Sequence, residues 1–410
     1  MTAALNLADQ GFQVHLVEKE EELGGNFRHI HSLLNGGNPQ QTLTQTIERI
    51  EFHPRITVYV GSTLSEVEGS VGNFTSTISR NGTQKRVGHG VAIVATGATE
   101  YEPTEYLYGE HPRVLTQVTL EEWISSNRVE LQELKSVVMI QCVGSRDEER
   151  PYCSRVCCSQ AVKNALALKK LRPDMAVTVL YRDIRTYGLY EQYYREARER
   201  GVRFIRYEED RKPRVSSSDG GLRVSTLDPV LNATVHIDCD MVVLAAAIVP
   251  RGDTEEVSKL FKVALNQDRY FLEAHMKLRP VDFATDGVFM CGLAHCPKSV
   301  EESIAQADAA AARAATLLSK DEIALEATIS EVVDENCDGC AYCIDPCPYN
   351  ALSLIEYMYE GSIKKGIERD AALCKGCGVC QATCPKKGIY IRSFRLEQLS
   401  AMVDAALEVA

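Results

Sequence analysis

Twelve of the fifteen cysteines in this 410-residue chain fall into three groups of four. Two groups repeat one pattern: Cys337, Cys340, Cys343 and Cys347-Pro348, then Cys374, Cys377, Cys380 and Cys384-Pro385, starting 37 residues later. The pattern is C-x2-C-x2-C-x3-C-P. Its first three thiolates wrap around one iron–sulfur cube, and the fourth reaches across to the other. The spacing assigns Cys337, Cys340, Cys343 and Cys384 to one [4Fe–4S] cluster, and Cys374, Cys377, Cys380 and Cys347 to a second. Gly339, Gly376 and Gly378 let backbone amides approach the sulfurs. A single CxxC pair also suits zinc. The doubled run with its prolines favours the cubes.

The third group lies in "CVGSRDEERPYCSRVCC", residues 142–158. It follows the apolar run Val137, Val138, Met139, Ile140, read as a strand, and enters a helix expected from about Ser154 to Leu171. A dinucleotide-binding fold puts its glycines at this turn, because a pyrophosphate needs backbone amides at close approach. Cysteines stand there instead. Cys153 and Cys157 are spaced i, i+4, so one helix face is expected to carry both, with Cys158 rotated about 100° from Cys157. With Cys142 at the strand end, four thiols can converge on a cube. Buried thiols, or a strained Cys157–Cys158 disulfide, are the other readings. Of the remaining cysteines, Cys239 reads as a buried strand residue. Cys291-x4-Cys296 copies the spacing of a redox disulfide, but its place in a late strand-turn favours two packed thiols.

These groups need elements to hold them. The start reads as a helix ending near Gly11, then a strand, Val14 to Val17, closed by Glu18. An acidic residue at that place bonds a ribose hydroxyl in a Rossmann unit, where a strand and a glycine turn precede the helix. That strand and turn are missing from this sequence, and a lost stretch of about 15 to 20 residues is the expectation. "HGVAIVATGATEYEP" adds a strand and a Gly-containing turn, and "DGVFMCG" leads to an Ala-rich helix from about Val300 to Leu318. Residues 117–245 alternate strand and helix again. The expected fold class is α/β: a pair of Rossmann-type dinucleotide-binding modules followed by an α+β two-[4Fe–4S] ferredoxin domain. The expected boundaries are 1–116 with 246–325, 117–245, 331–393, and a C-terminal helix over 394–410 docking on a partner or on the body.

Taken in order, Glu18, Gly24-Gly25, Thr96-Gly97 and "TDGVFMCG" resemble the thioredoxin reductase-like flavoproteins. The resemblance implies FAD, with its isoalloxazine at the N-terminus of the last helix. The helix's positive end would stabilise charge on the reduced ring. The implied contacts are Glu18, Lys19, Gly24, Gly25, Asn26, Thr96, Gly97, Gly292, Lys298, Ser303 and Gln306. The tail resembles a bacterial two-cluster ferredoxin, an electron conduit.

C-x10-C-x3-C-C with "VGSR" after its first cysteine, joined to the flavin elements and the tail, resembles the A-type subunit of heterodisulfide reductase, its iron–sulfur flavoprotein. The expected match is to a short form, without the N-terminal cluster domain and the inserted ferredoxin domain of longer members. The resemblance implies a third [4Fe–4S] cluster on Cys142, Cys153, Cys157 and Cys158 near the flavin. It also implies an oxidoreductase subunit that divides or merges electrons at FAD, with low-potential ferredoxin as acceptor. B-type and C-type subunits would be its partners, with a hydrogenase, a formate dehydrogenase or an NADH-oxidising module as donor. The assembly would be multi-subunit and could be dimeric. Lys163, five residues after Cys158 on the same helix, would place its ammonium by flavin N5, or else be a solvated lysine. Two further readings are a flavin-free electron-transfer scaffold and the flavin subunit of a quinone-interacting membrane complex.

Composition narrows the classes. A net charge of −12 opposes a nucleic-acid surface and suits docking to basic redox partners. The longest apolar run, Met241 to Val249, has nine residues, well short of the ~18 to 20 that span a bilayer. No basic n-region or secretory signal opens the chain. An odd cysteine count excludes a complete disulfide framework, and the grouping suits a reducing cytoplasmic compartment.

Overall fold

The strand Ser136–Val143 forms the middle of a five-stranded parallel sheet, ordered Arg203–Arg206, Ala176–Tyr181, Ser136–Val143, Met241–Ala246, Val114–Thr116. The computed structural model describes residues 1–218, 221–324, 327–359 and 361–408. A parallel strand covered on both faces reads as an unbroken apolar run, and Val137, Val138, Met139 and Ile140 are fully buried. Their side chains alternate between two cores. Val137 and Met139 join Ala161, Ala165 and Leu168 of the helix Cys157–Leu171. Val138 and Ile140 face Leu222, Val224 and Ile237 of an antiparallel sheet, Arg214–Ser218, Gly221–Asp228 and Ala233–Cys239. Val114–Thr116 belongs to the parallel sheet, so the second module takes residues a little before the expected boundary at 117.

In the first module, Val14–Val17 pairs in parallel with Ile56–Tyr59, and Ala92–Val94 with Val288–Met290. Among the described residues these two pairs do not bond to each other. No strand among them plays the central part that Ser136–Val143 plays in the second module. The helix Thr2–Asp9 lies on the helix Val300–Leu318, where Ala3 and Leu7 meet Ala307, Ala310, Ala311 and Ala314. Small residues permit this close approach. Two crossovers between the modules pair antiparallel, Ala98–Glu100 with Ile248–Pro250.

The ferredoxin segment pairs Ser330–Val332 with Ile389–Ile391 and forms the hairpin Leu352–Tyr359/Ser362–Arg369. It meets the first module through Lys375 and Asp286, 2.5 Å apart. Within the expected stretch 394–410, of which 409–410 lie outside the described residues, a helix runs over Leu396–Glu408, and none of its residues is buried against the body.

Candidate iron–sulfur and flavin sites

The turn after Ser136–Val143 is held in conformations that side chains resist. Cys142, Arg146 and Arg155 all have φ near +60°, each costing about 1–2 kcal/mol in the left-handed region. Gly144 also has positive φ, and a Cβ there would overlap the Tyr101 ring. The left-handed Arg155 changes one expectation. The helix begins at Cys157, so Cys153 lies in the loop before it and does not share a helix face with Cys157. Ser154 is buried there, its Oγ accepting the Ile248 N–H at 2.9 Å.

The four thiols stand within electrostatic reach of one another. Burial pushes the Cys142 thiol up to about 11, with Cys158 and Cys153 adding to it and Arg146 opposing. Cys157 and Cys158 shift each other in opposite directions. The hydrogen bond to Cys158, then burial, raises Cys157, and the same bond lowers Cys158 to about 7. All fifteen cysteines are free thiols. Guanidinium groups and amides surround this group. Arg146 Nη1 lies 3.9 Å from Cys142 Sγ and 2.5 Å from Asp183 Oδ1, and Arg185 Nε bonds Asp183 Oδ2 at 2.9 Å. The Arg155 N–H donates to Cys153 Sγ at 3.3 Å. The sequence reading missed Arg146, Asp183 and Arg185 as a unit. The only signal was "VGSR" itself.

In the tail, one cavity is lined by Cys337, Cys340, Cys343 and Cys384. Burial raises the Cys343 thiol, and Cys337, Cys384 and Cys340 are the cysteines that raise it further. Burial pushes Cys380 up to about 11, reinforced by Cys374, Cys377 and Cys347. In both sets the fourth cysteine comes from the other repeat. Amides point at the sulfurs, Gly388 N to Cys384 Sγ at 3.2 Å and Ser330 N to Cys374 Sγ at 3.3 Å. Gly376 is required at its place, since a Cβ would strike the Thr328 carbonyl. Among the described residues, no three His, Cys, Asp or Glu side chains converge tightly enough to hold a single metal ion.

The flavin candidates gather around the ends of the first module's strands. Gly25, Gly97 and Gly292 all have positive φ and open space where a Cβ would stand. Thr96 Oγ1 is buried and has no hydrogen-bond partner. These bare α-carbons and an orphaned hydroxyl fit a flat, polar-edged group such as FAD. Gly24 has φ +121° at the cap of the turn Gly25–His29. Asn26 Nδ2 donates to Ala98 O at 2.8 Å, and the Glu18 carboxylate accepts the Glu20 N–H at 3.0 Å. Some candidates are already engaged within the chain. Lys19 pairs with Asp253 at 2.7 Å. The Gly292 N–H donates to Gln306 Oε1, Lys298 Nζ to Gly292 O, and Ser303 Oγ to Ser299 O. Ser299 caps the helix Val300–Leu318 in a capping box with Glu302.

Lys163 is not a solvated lysine. Its Nζ lies 2.6 Å from Glu121 Oε2 and 3.0 Å from Ser32 O, in a buried pair that joins the second module to a loop of the first. Glu121 Oε1 also accepts the His31 and Ser32 N–H groups. Burial lowers the Lys163 ammonium from its ordinary range, with Glu121 opposing.

A family model described as "4Fe-4S dicluster domain" matches residues 336–388. An A-type iron–sulfur subunit of CoB–CoM heterodisulfide reductase from Methanopyrus kandleri is 32% identical over 450 residues, covering 86% of this chain and 68% of that protein. The A-type subunit of the H(2):CoB-CoM heterodisulfide,ferredoxin reductase of Methanothermobacter thermautotrophicus is 39% identical over 335 residues, covering 78% of this chain and 49% of that protein. This chain therefore spans about two thirds of the first relative and about half of the second. Among solved structures, the thioredoxin reductase of Lactococcus lactis matches with a TM-score of 0.54 at 16% identity, covering 78% of this chain and 95% of that one. The fold is that of the thioredoxin reductase-like FAD/NAD-binding oxidoreductases, extended by a dicluster ferredoxin domain. The chain belongs to the family of A-type heterodisulfide reductase subunits. No helix among the described residues is long and apolar enough to cross a membrane.

Proposed function

We propose that this chain is an electron-transfer subunit carrying FAD and three [4Fe–4S] clusters in a heterodisulfide reductase-like complex. What supports the reading is the grouping of Cys142, Cys153, Cys157 and Cys158 around one turn, close enough to raise one another's thiols, where a second dinucleotide module would place its glycines. A turn built this way offers thiolates in place of the bare amides that a pyrophosphate needs. Soluble pyridine nucleotide then gives way to one-electron wiring.

When bound, FAD exchanges electron pairs and the clusters carry single electrons. The chain's own residues bind and orient these groups. Cys142, Cys153, Cys157 and Cys158 would hold one cluster, with Arg146 and Arg185 offsetting its negative charge. Cys337, Cys340, Cys343 and Cys384 would hold the second, and Cys374, Cys377, Cys380 and Cys347 the third. Glu18, Gly24, Gly25, Asn26, Thr96, Gly97 and Gly292 would line the flavin, with Lys298, Ser303 and Gln306 at its helix end and Lys19 fixed by Asp253. Lys163 would stand by the ring's N5, its ammonium kept charged by Glu121.

In this reading the chain works in the cytoplasm between B-type and C-type subunits, ferredoxin, and a hydrogenase, formate dehydrogenase or NADH-oxidising module. It divides or merges electrons at the flavin. Anaerobically purified chain should hold about 12 irons, four per cube, and about one flavin. Cys157→Ala should remove about four irons and leave the tail's two cubes. Full iron without flavin would instead make the chain a flavin-free scaffold. Co-purification with membrane quinone-reactive subunits would assign it to that class of complex.

A further inference from the structure

The two cysteine sets of the tail differ in what surrounds them. Cys374, Cys377, Cys380 and Cys347 form the inner set. Beside them, Tyr349, Leu373 and Lys375 line a crevice whose other wall is Phe74, Phe261 and Asp286 of the first module. Lys375 pairs with Asp286 there. The cavity beside Cys337, Cys340, Cys343 and Cys384 is lined by tail residues alone, so this set is the outer one. Each set has one exposed cysteine, Cys377 or Cys340, so solvent reaches both.

Charge separates the two sets. At the outer one, Lys386 pairs with Asp338 on the surface, and the two charges offset each other. Lys365, Lys375 and Arg392 are likewise paired with carboxylates. Arg369 is half-buried at the end of the hairpin strand Ser362–Arg369, and among the described residues no carboxylate pairs with it. Its Nη1 donates to Ser330 O. The Ser330 N–H donates to Cys374 Sγ at 3.3 Å, and the Ser330 hydroxyl lies 3.5 Å from the same sulfur. Arg369 Nε is buried and has no hydrogen-bond partner. A guanidinium cannot shed its proton, so a buried, unmet donor of this kind calls for an acceptor. Burial acts to raise the Cys374 thiol, but Ser330, the Gly376 amide and Arg369 hold it below its ordinary range.

We propose that Arg369 holds the inner tail cluster at a higher potential than the outer one, with its Nε reserved as a donor to a sulfur of that cluster. Reduction adds a negative charge to a cluster. An uncompensated cation beside it favours that charge, and hydrogen bonds to its sulfurs act in the same direction. An electron that passes from the outer cluster to the inner one oxidises the first as it reduces the second. Arg369 therefore favours the inward step, towards the first module. Ser330 ties the guanidinium to the Cys374 ligand from the other side. The proposal rests on reading the tail as a two-cluster domain, which the dicluster family match supports. It depends on neither the flavin nor the third cluster.

The test is a spectroscopic redox titration of the full chain, anaerobic and cluster-loaded, with iron counted in every variant. Serine at an exposed ligand marks one cluster by displacing or removing its wave: Cys377→Ser marks the inner, Cys340→Ser the outer. In the wild type the inner wave should lie above the outer. Arg369→Gln should make reduction of the inner cluster about tenfold less favourable, a fall of about 59 mV for one electron, and leave the outer wave in place. Arg369→Lys keeps the charge and should restore most of that loss. Three results would overturn the proposal: a wild-type inner wave at or below the outer, an unmoved inner wave in iron-replete Arg369→Gln, or equal shifts of both waves. A chain in which Cys377→Ser marks no wave would overturn the two-cluster reading itself, and the proposal with it. Should Arg369→Gln lose iron, the order of the wild-type waves decides.

Discussion

Arg146 and Asp183 form an ion pair 2.5 Å apart at the mouth of the second module's sheet, and the same guanidinium reaches to 3.9 Å from Cys142 Sγ. Asp183 holds Arg185 with its other oxygen, so one carboxylate fixes two cations beside the four-cysteine turn. Reduction adds a negative charge to a cluster, which a nearby cation favours. Arg146→Gln should therefore make reduction of the cluster proposed at this turn about tenfold less favourable, a shift of about −59 mV for one electron. A spectroscopic redox titration reads the shift. An unmoved potential with the cluster intact would show that Arg146 serves only the fold.

Lys163 and Glu121 supply the second prediction. Their side chains are 12% and 3% exposed, so solvent screens the pair little. Removing one partner of a buried pair typically costs about 3–5 kcal/mol, because a charge is left uncompensated. Glu121→Ala should lower stability by that order in urea unfolding. Lys163→Met combined with Glu121→Gln should cost clearly less than the two single changes added together.

Gly144 bears on how much was legible in the sequence. The doubled C-x2-C-x2-C-x3-C-P run could be read directly because its spacing is itself the chemistry, and alternation of apolar strands with helices marked out the α/β modules. The helix start was misplaced because Arg155's left-handed backbone breaks it, and no periodicity records that. Arg146 meets Asp183 across 37 residues of chain, and Lys163 meets Glu121 across the helix packing, so neither partnership leaves a local pattern. Cys296 looked like half of a copied spacing, and only its three-dimensional neighbours separate it from Cys291: its Sγ lies 3.4 Å from Lys298 Nζ, whereas Cys291 packs beside Ala307 and Ala311.

Gly144→Ala follows from the same turn. The backbone has φ +70°, and a Cβ would overlap Tyr101. The left-handed conformation alone should cost about 1–2 kcal/mol, and the overlap should add to it. Combining it with Tyr101→Ala should relieve the overlap but not the backbone strain. The residual loss of Gly144→Ala, measured in the Tyr101→Ala background by urea unfolding, therefore isolates the backbone part.

Glu100 predicts how stability depends on pH. It lies in the crossover strand Ala98–Glu100, its Oε2 accepting the Thr116 hydroxyl at 3.0 Å. Burial raises its carboxyl to about 7 from an ordinary 4.5; Thr116 and His29 oppose the rise and Glu122 adds to it. The folded chain then binds more protons than the unfolded chain between those two values. By linkage, this contribution is fully present below about 4.5 and is lost as pH rises through about 7, on the order of 3 kcal/mol in all. Glu100→Gln cannot lose a proton, so it should be more stable than wild type at about pH 8 and lack this part of the slope. Urea unfolding of both proteins at about pH 5 and 8 reads the difference directly. Equal slopes for the two would mean that Glu100 is ionised in the folded chain and that the strand pair at the crossover carries no pH-sensitive carboxyl.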